Sequence, residues 1–122
     1  VWSWTDADKV VMENDREPTQ SYAIWVRDRV EADEELKNLS ANQLRGQGIP
    51  VVTLLERLFL ELKFHVETGD HLDKRMTTLC SGSRYSDGNV PNVYWNGGKL
   101  YVNWYHPDNR NDNLRSRQKF RL

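Results

Sequence analysis

Three observations in this 122-residue chain predict an α+β fold, with N-terminal helices packed on a small C-terminal antiparallel sheet. Helical periodicity is confined to residues 1–69, an Asn-Gly-Gly turn between aromatic and β-branched runs centres a hairpin at residues 92–104, and residues 114–122 alternate between cations and other residues. Helices first and strands later is the order of an α+β domain. The length suits one domain, read as a helical part at 1–50, a core helix within 51–69 and a β-rich part at 77–122.

Thr5 is placed as an N-cap with Asp6 and Asp8 in the first turn, predicting a short helix to about Arg16, closed by Pro18. A second helix is expected from Thr19 or Gln20 to about Leu39, because Tyr22, Trp25, Val26, Arg29, Val30 and Leu36 lie close to a 3.6-residue period. The acids from Glu31 to Glu35 fall mostly off that period and read as a solvated face. Gly46, Gly48 and Pro50 mark a break.

The next element opens with Thr53-Leu54-Leu55-Glu56, which has capping-box spacing. Leu55, Leu58, Phe59, Leu62 and Val66 make a stripe that Leu54, Leu60 and Phe64 widen, and Gly69 is placed as the left-handed residue that ends the helix. A helix apolar over more than half its circumference is expected to be the buried core of the fold. Beyond it, Thr77–Cys80 predicts a strand, Asp87-Gly88 a turn and Val90-Pro91 the entrance to the hairpin.

The hairpin register follows from its side chains. With Gly97-Gly98 as the two-residue turn, Asn96 faces Lys99, Trp95 faces Leu100, Tyr94 faces Tyr101 and Val93 faces Val102. Val93, Trp95, Leu100, Val102 and Trp104 then share one face, whereas a turn at Asn96-Gly97 scatters the apolar residues over both. The opposite face presents Tyr94, Asn96, Lys99, Tyr101 and Asn103, with Asn92 beside them. Rings with polar tips among amides and a cation suit stacking on bases, sugars or a protein partner, and these five residues are the expected partner-binding site. The same pair also stabilises the sheet by cross-strand contact.

Charge adds a second surface. Residues 1–40 hold ten acids and five bases, residues 41–80 five of each, and residues 81–122 seven bases and three acids, within a net charge of −1. In a continuous strand, Arg115, Arg117, Lys119 and Arg121 share one face with neighbours about 7 Å apart, a spacing that suits successive phosphates. Nucleic-acid binding, with that row on phosphates and Tyr94 and Tyr101 stacking on bases, is the alternative function, and it weakens if the acidic N-terminal third covers the strand.

Three further groups of residues bear on chemistry. His65, Glu67, Asp70, His71 and Asp73 crowd the end of the core helix, and His106 with Asp108 would join them only if the fold brought them there; no zinc spacing is reproduced. A small metal-dependent hydrolase around these residues is the third reading. The run from Ser81 to Asn89 with Arg84 reads as turn chemistry or an anion cradle, without the ending of a phosphate-binding loop. Cys80 is the one cysteine, so no internal disulfide forms, and it reads as a buried hydrophobe before a nucleophile.

No apolar run has membrane-span length and the N-terminus lacks a signal-peptide pattern, so a soluble, cytoplasmic location without membrane contact is expected. No motif names a reaction, and no catalytic residue, metal ligand or cofactor is assigned. The expected function is a small binding or interaction module that docks a protein partner, or a second copy of itself, through the aromatic hairpin.

Overall fold

In the computed structural model, residues 13–14 and 24–121 are described. Eight strands occur among them: β1 (Glu13–Asn14), β2 (Ile24–Val26), β3 (Thr77–Leu79), β4 (Ser83–Arg84), β5 (Val90–Asn96), β6 (Lys99–Tyr105), β7 (Leu114–Arg115) and β8 (Lys119–Arg121). Two α-helices accompany them, α1 (Ala41–Gly46) and α2 (Leu54–Thr68), with a 3-10 turn at Glu34–Leu36. The α+β class is as expected, but the sheet is mixed. In the order β6-β5-β3-β7, the β3–β7 pair is parallel, and β1–β4 and β2–β8 form separate antiparallel ribbons.

The hairpin adopts the expected register from Asn96 opposite Lys99 to Val93 opposite Val102, and it continues to Val90 opposite Tyr105. Gly97 and Gly98 have φ of 57° and 83°, the positive pair that a type I′ turn requires. Helix α2 starts and stops where its caps place it. Thr53 Oγ1 accepts from the Glu56 backbone, the Glu56 carboxylate accepts from the Thr53 N–H, and Gly69 closes the helix at φ 75°.

The two sheet faces bury different residues. On one, Leu54 and Leu58 of α2 pack on Cys80 and Val93, flanked by Leu100 and Trp104. On the other, Ala41 of α1 packs with Leu79, Val90 and Leu114, flanked by Tyr105. A third cluster joins Leu44 of α1 to Leu36 and Val51, with Leu39 and Ile49 at its margin. Its capping box at Ser40 and Gln43 starts α1, which the sequence reading passed over as part of a break.

Two expectations about helices need correction. The helix predicted from Thr19 or Gln20 to Leu39 is not present in its described part. Ile24–Val26 is a strand paired with Lys119–Arg121, and only Glu34–Leu36 turns. Ile24, Trp25 and Val26 are β-formers, and the pairing with β8 overrides a weak helical period. The helix predicted from Thr5 to Arg16 lies outside the described residues except for Glu13–Asn14, which pair with β4. Among the described residues, the helix of the N-terminal part that meets the sheet is α1, through Ala41.

Helix α2 itself is rolled away from the expected orientation. Leu54 and Leu58 are buried, yet Phe59, Leu62 and Val66 of the predicted core stripe are 59%, 46% and 74% exposed. Facing inward instead are Glu56, Arg57 and Glu61. A charged network, described below, holds that face down.

Thr53 is buried and its hydroxyl satisfies one of the orphan N–H groups of α2. Thr53→Ala removes that half of the capping box. The expected loss is about 1–2 kcal/mol of unfolding free energy, seen as a lower urea midpoint at unchanged slope.

Candidate functional site

The expected partner face lies on the side of the hairpin that α1 covers only at its open end. Ala41 meets Val90 there, and the Asn42 N–H donates to the Pro107 carbonyl. Six residues of helix reach no further, so the tip half stays open. On it, the Tyr94 and Tyr101 rings stack 5.1 Å apart at 11°, and Asn103 Nδ2 lies 3.4 Å from the Tyr94 hydroxyl. Asn96, Lys99, Tyr101 and Asn103 are exposed and Tyr94 is half-buried, so the five side chains form one surface. Asn92, read as a neighbour of this face, is buried at its base.

The cationic row of the C-terminal strand is not assembled. The strand is split into β7 and β8, and two of its four cations are turned inward. Arg117 is 2% exposed: its Nη2 lies 2.9 Å from Asp73 Oδ1, and it also donates to the backbone carbonyls of Arg29 and Val30. Lys119 is 1% exposed, with Nζ 3.2 Å from Glu56 Oε1. Arg115 is half-buried, donates to the Ala32 carbonyl and lines an open groove with Arg29, Glu31, Glu34, Glu35 and Lys37. The side chain of Arg121 is outside the described residues. A ladder of four phosphate contacts therefore has no free row to use. Residues 29–33 do cover this strand, but largely with backbone carbonyls; the charges that answer Arg117 and Lys119 come from Asp73 and Glu56.

Asp73 is the centre of the buried charges. Fully buried, it accepts at Oδ1 from the Ala32 N–H and Arg117, and at Oδ2 from Arg57 and the Thr78 hydroxyl. Arg57 in turn donates to Glu61, which also receives the Leu72 N–H and His71 Nδ1. Burial lowers the Arg117 pKa, while the Asp73 charge opposes that shift. Among the described residues four buried acids (Asp33, Glu56, Glu61, Asp73) accompany four buried bases (Arg57, Arg84, Arg117, Lys119), so the interior carries little net charge.

The histidines divide. His65 and His71 stack at 4.5 Å, and His71 lies flat on Trp95 at 3.4 Å. Asp70 turns to Lys74, whose ammonium holds its carboxyl below the usual carboxylate range. His106 follows the far end of β6, about 20 Å along the strand from Leu100, beside Asp108. Among the described residues, no group of three or more His, Cys, Asp or Glu side chains is placed to hold a metal ion.

The Ser81–Asn89 segment is turn chemistry. Ser81 and Ser83 are buried, Leu54 N–H donates to Ser83 Oγ, and Arg84 turns inward to the Gly88 carbonyl and Asn42. Cys80 is fully buried, and burial pushes its thiol up to about 12.

Sequence reasoning missed two exposed aromatic groups. Trp25 and Phe120 face each other across β2 and β8 at 60% and 40% exposure, with the Arg27 guanidinium 5.2 Å from the Phe120 ring. Trp25 was assigned to a helix face, so its pairing was invisible; the alternation around Phe120 was the available signal.

Two outcomes follow. Asp73→Asn keeps a side chain that tolerates the φ of 54° at this position but leaves two guanidiniums without their shared anion. An expected destabilisation of about 3–5 kcal/mol, measured by denaturant unfolding, exceeds what an exposed carboxylate gives. Cys80 is expected to resist thiol reagents at mildly alkaline pH and to react fully once the chain is unfolded, because a neutral buried thiol is a poor nucleophile. Comparison with family models, with curated proteins and with solved structures finds no match to this chain, so the functional reading rests on the side chains described above.

Proposed function

We propose that this protein is a non-catalytic interaction module that docks a protein partner on the tip of the hairpin, through Tyr94, Asn96, Lys99, Tyr101 and Asn103. The observation that carries the reading is the stacked Tyr94–Tyr101 pair, left open where α1 ends. Two stacked phenols offer rigid apolar area at low entropic cost and keep their hydroxyls for hydrogen bonds, which is what binding hot spots use. Asn96 and Asn103 add donors and acceptors at the rim, and Lys99 adds a positive charge that favours a carboxylate on the partner.

The buried ionisable groups support the same reading from the other side. Arg57, Asp73, Arg117 and Lys119 are each held by partners within the fold, which fits a structural role better than a reactive one.

A photo-crosslinking residue introduced at Asn103, compared with one at exposed Asp112, tests this in extracts of the source cells. A discrete protein adduct at position 103, absent at 112 and lost with Tyr101→Ala, is expected. Once that partner is purified, Tyr101→Ala should weaken it by about thirtyfold, the effect of losing a hot spot of about 2 kcal/mol. Equal labelling at both positions would sink the reading.

A further inference from the structure

The outer edge of β6 makes a surface separate from the tyrosine face. In a two-residue hairpin the residues flanking the turn form a hydrogen-bonded pair, and pairs alternate from there. Asn96–Lys99, Tyr94–Tyr101 and Asn92–Asn103 are then the hydrogen-bonded pairs, and Leu100, Val102 and Trp104 turn their N–H and C=O groups outward. Trp95, opposite Leu100, obeys this parity: its N–H leaves the hairpin for the Asp73 carbonyl at 2.9 Å. No described residue hydrogen-bonds the outward groups of Leu100, Val102 and Trp104.

The usual devices that blunt a sheet edge are missing here. The β5–β6 register runs unbroken over seven pairs without a bulge, β6 contains no proline, and its one charge, Lys99, sits at the turn.

Helix α2 lies over β5, the neighbour of this edge strand. It runs along β5, with Leu54 and Leu58 over Cys80 and Val93 and with Glu61 tied to His71, which stacks on Trp95. Arg57 reaches Thr78 and Asp73 on the β3 side. Side chains advance about 100° per residue, so Leu62 and Val66 fall on the opposite flank, away from β3. Leu62 and Val66 are 46% and 74% exposed, and Val102 of β6 is 38% exposed.

We infer that a second copy of this chain adds to β6, antiparallel, with the two Val102 residues on the twofold axis. That register is self-complementary. It sets Leu100 of each copy opposite Trp104 of the other, and all three outward pairs become hydrogen-bonded pairs. Lys99 meets Tyr105, so no like charges oppose each other. The added strand lies about 4.8 Å beyond β6, with its Leu100, Val102 and Trp104 on the sheet face that α2 covers. On the opposite face, Tyr101 of one copy comes beside Asn103 of the other, and the two tyrosine surfaces join.

Light scattering of the full chain from micromolar to near-millimolar concentration, with residue-resolved amide exchange, tests this. A mass rising from one chain to two is expected, with the Leu100, Val102 and Trp104 amides becoming protected as it does. Tyr101 and Asn103 amides, bonded within the hairpin, stay protected throughout and report the fold. Val102→Lys brings two ammonium groups together on the axis and should return the mass to one chain with Tyr101 and Asn103 still protected. A single chain at every concentration would overturn the inference. So would a dimer whose Leu100, Val102 and Trp104 amides exchange freely, the outcome expected if the chains associate elsewhere. The assay contains no other protein, so its failure leaves the hairpin-tip reading standing.

Discussion

Asp73 with its two arginines is the contact on which the rest of the arrangement depends. Its carboxylate joins α2 through Arg57, β3 through Thr78, the segment before the 3-10 turn through the Ala32 N–H, and the C-terminal strand through Arg117. Its backbone adds two more ties, donating to the Val30 carbonyl and accepting from Trp95 in the hairpin. A left-handed φ at a non-glycine residue is the conformational cost of making all these contacts from one position, and aspartate is among the residues that tolerate it. Burying ions costs several kcal/mol each, so a network of this kind is weak as a source of net stability. What it does is tie one arrangement together: removing the anion takes away the one carboxylate paired with Arg117 and leaves Arg57 with Glu61 alone.

That constraint explains the roll of α2. Arg57 and Glu61 can reach Asp73, Thr78 and His71 only if the face between Leu54 and Glu61 turns inward. The flank with Leu62 and Val66 then rotates outward into solvent. Lys119 and Glu56 repeat the logic at the start of the helix, where one Glu56 oxygen serves both the capping box and the buried ammonium. The exposed apolar flank is thus a consequence of the charged interior, since the helix cannot bury both sides against a sheet of four strands.

Local features were legible in the sequence, and features that depend on distant partners were not. The hairpin register followed from Gly97-Gly98 and the two-residue period because slipping one position inverts a strand, and both sources of information lie within twelve residues. The caps at Thr53 and Gly69 were legible for the same reason. The alternation from Leu114 to Leu122 grouped Arg117 and Lys119 correctly but could not say that they point inward. A long cation is assigned to the surface unless its anion is known, and here the anions are 44 and 63 residues away. The period through Tyr22, Trp25 and Val26 misled because β2 pairs with β8, a contact across most of the chain. Of the candidate site, the five hairpin residues could be named from sequence, whereas the reason they stay open, the shortness of α1, could not.

The division between interior and surface bears on function more than any single residue does. Chemistry requires an ionisable group with capacity to spare, aimed at a place that a substrate can reach. Asp73 accepts from four side-chain or backbone donors, Glu61 from three, and Cys80 is held neutral by burial. Interaction capacity that the fold leaves unused lies elsewhere, on the phenol rings and amides of the hairpin tip and on the outward backbone of β6. Aromatic faces and an open strand edge recognise other polypeptides, by packing and by main-chain hydrogen bonds, without a reactive group at their centre. A charged interior that fixes one conformation and a thin sheet that leaves its edge and tip uncovered are complementary properties. The first gives the proposed binding surfaces a rigid support, and the second leaves them open among the described residues.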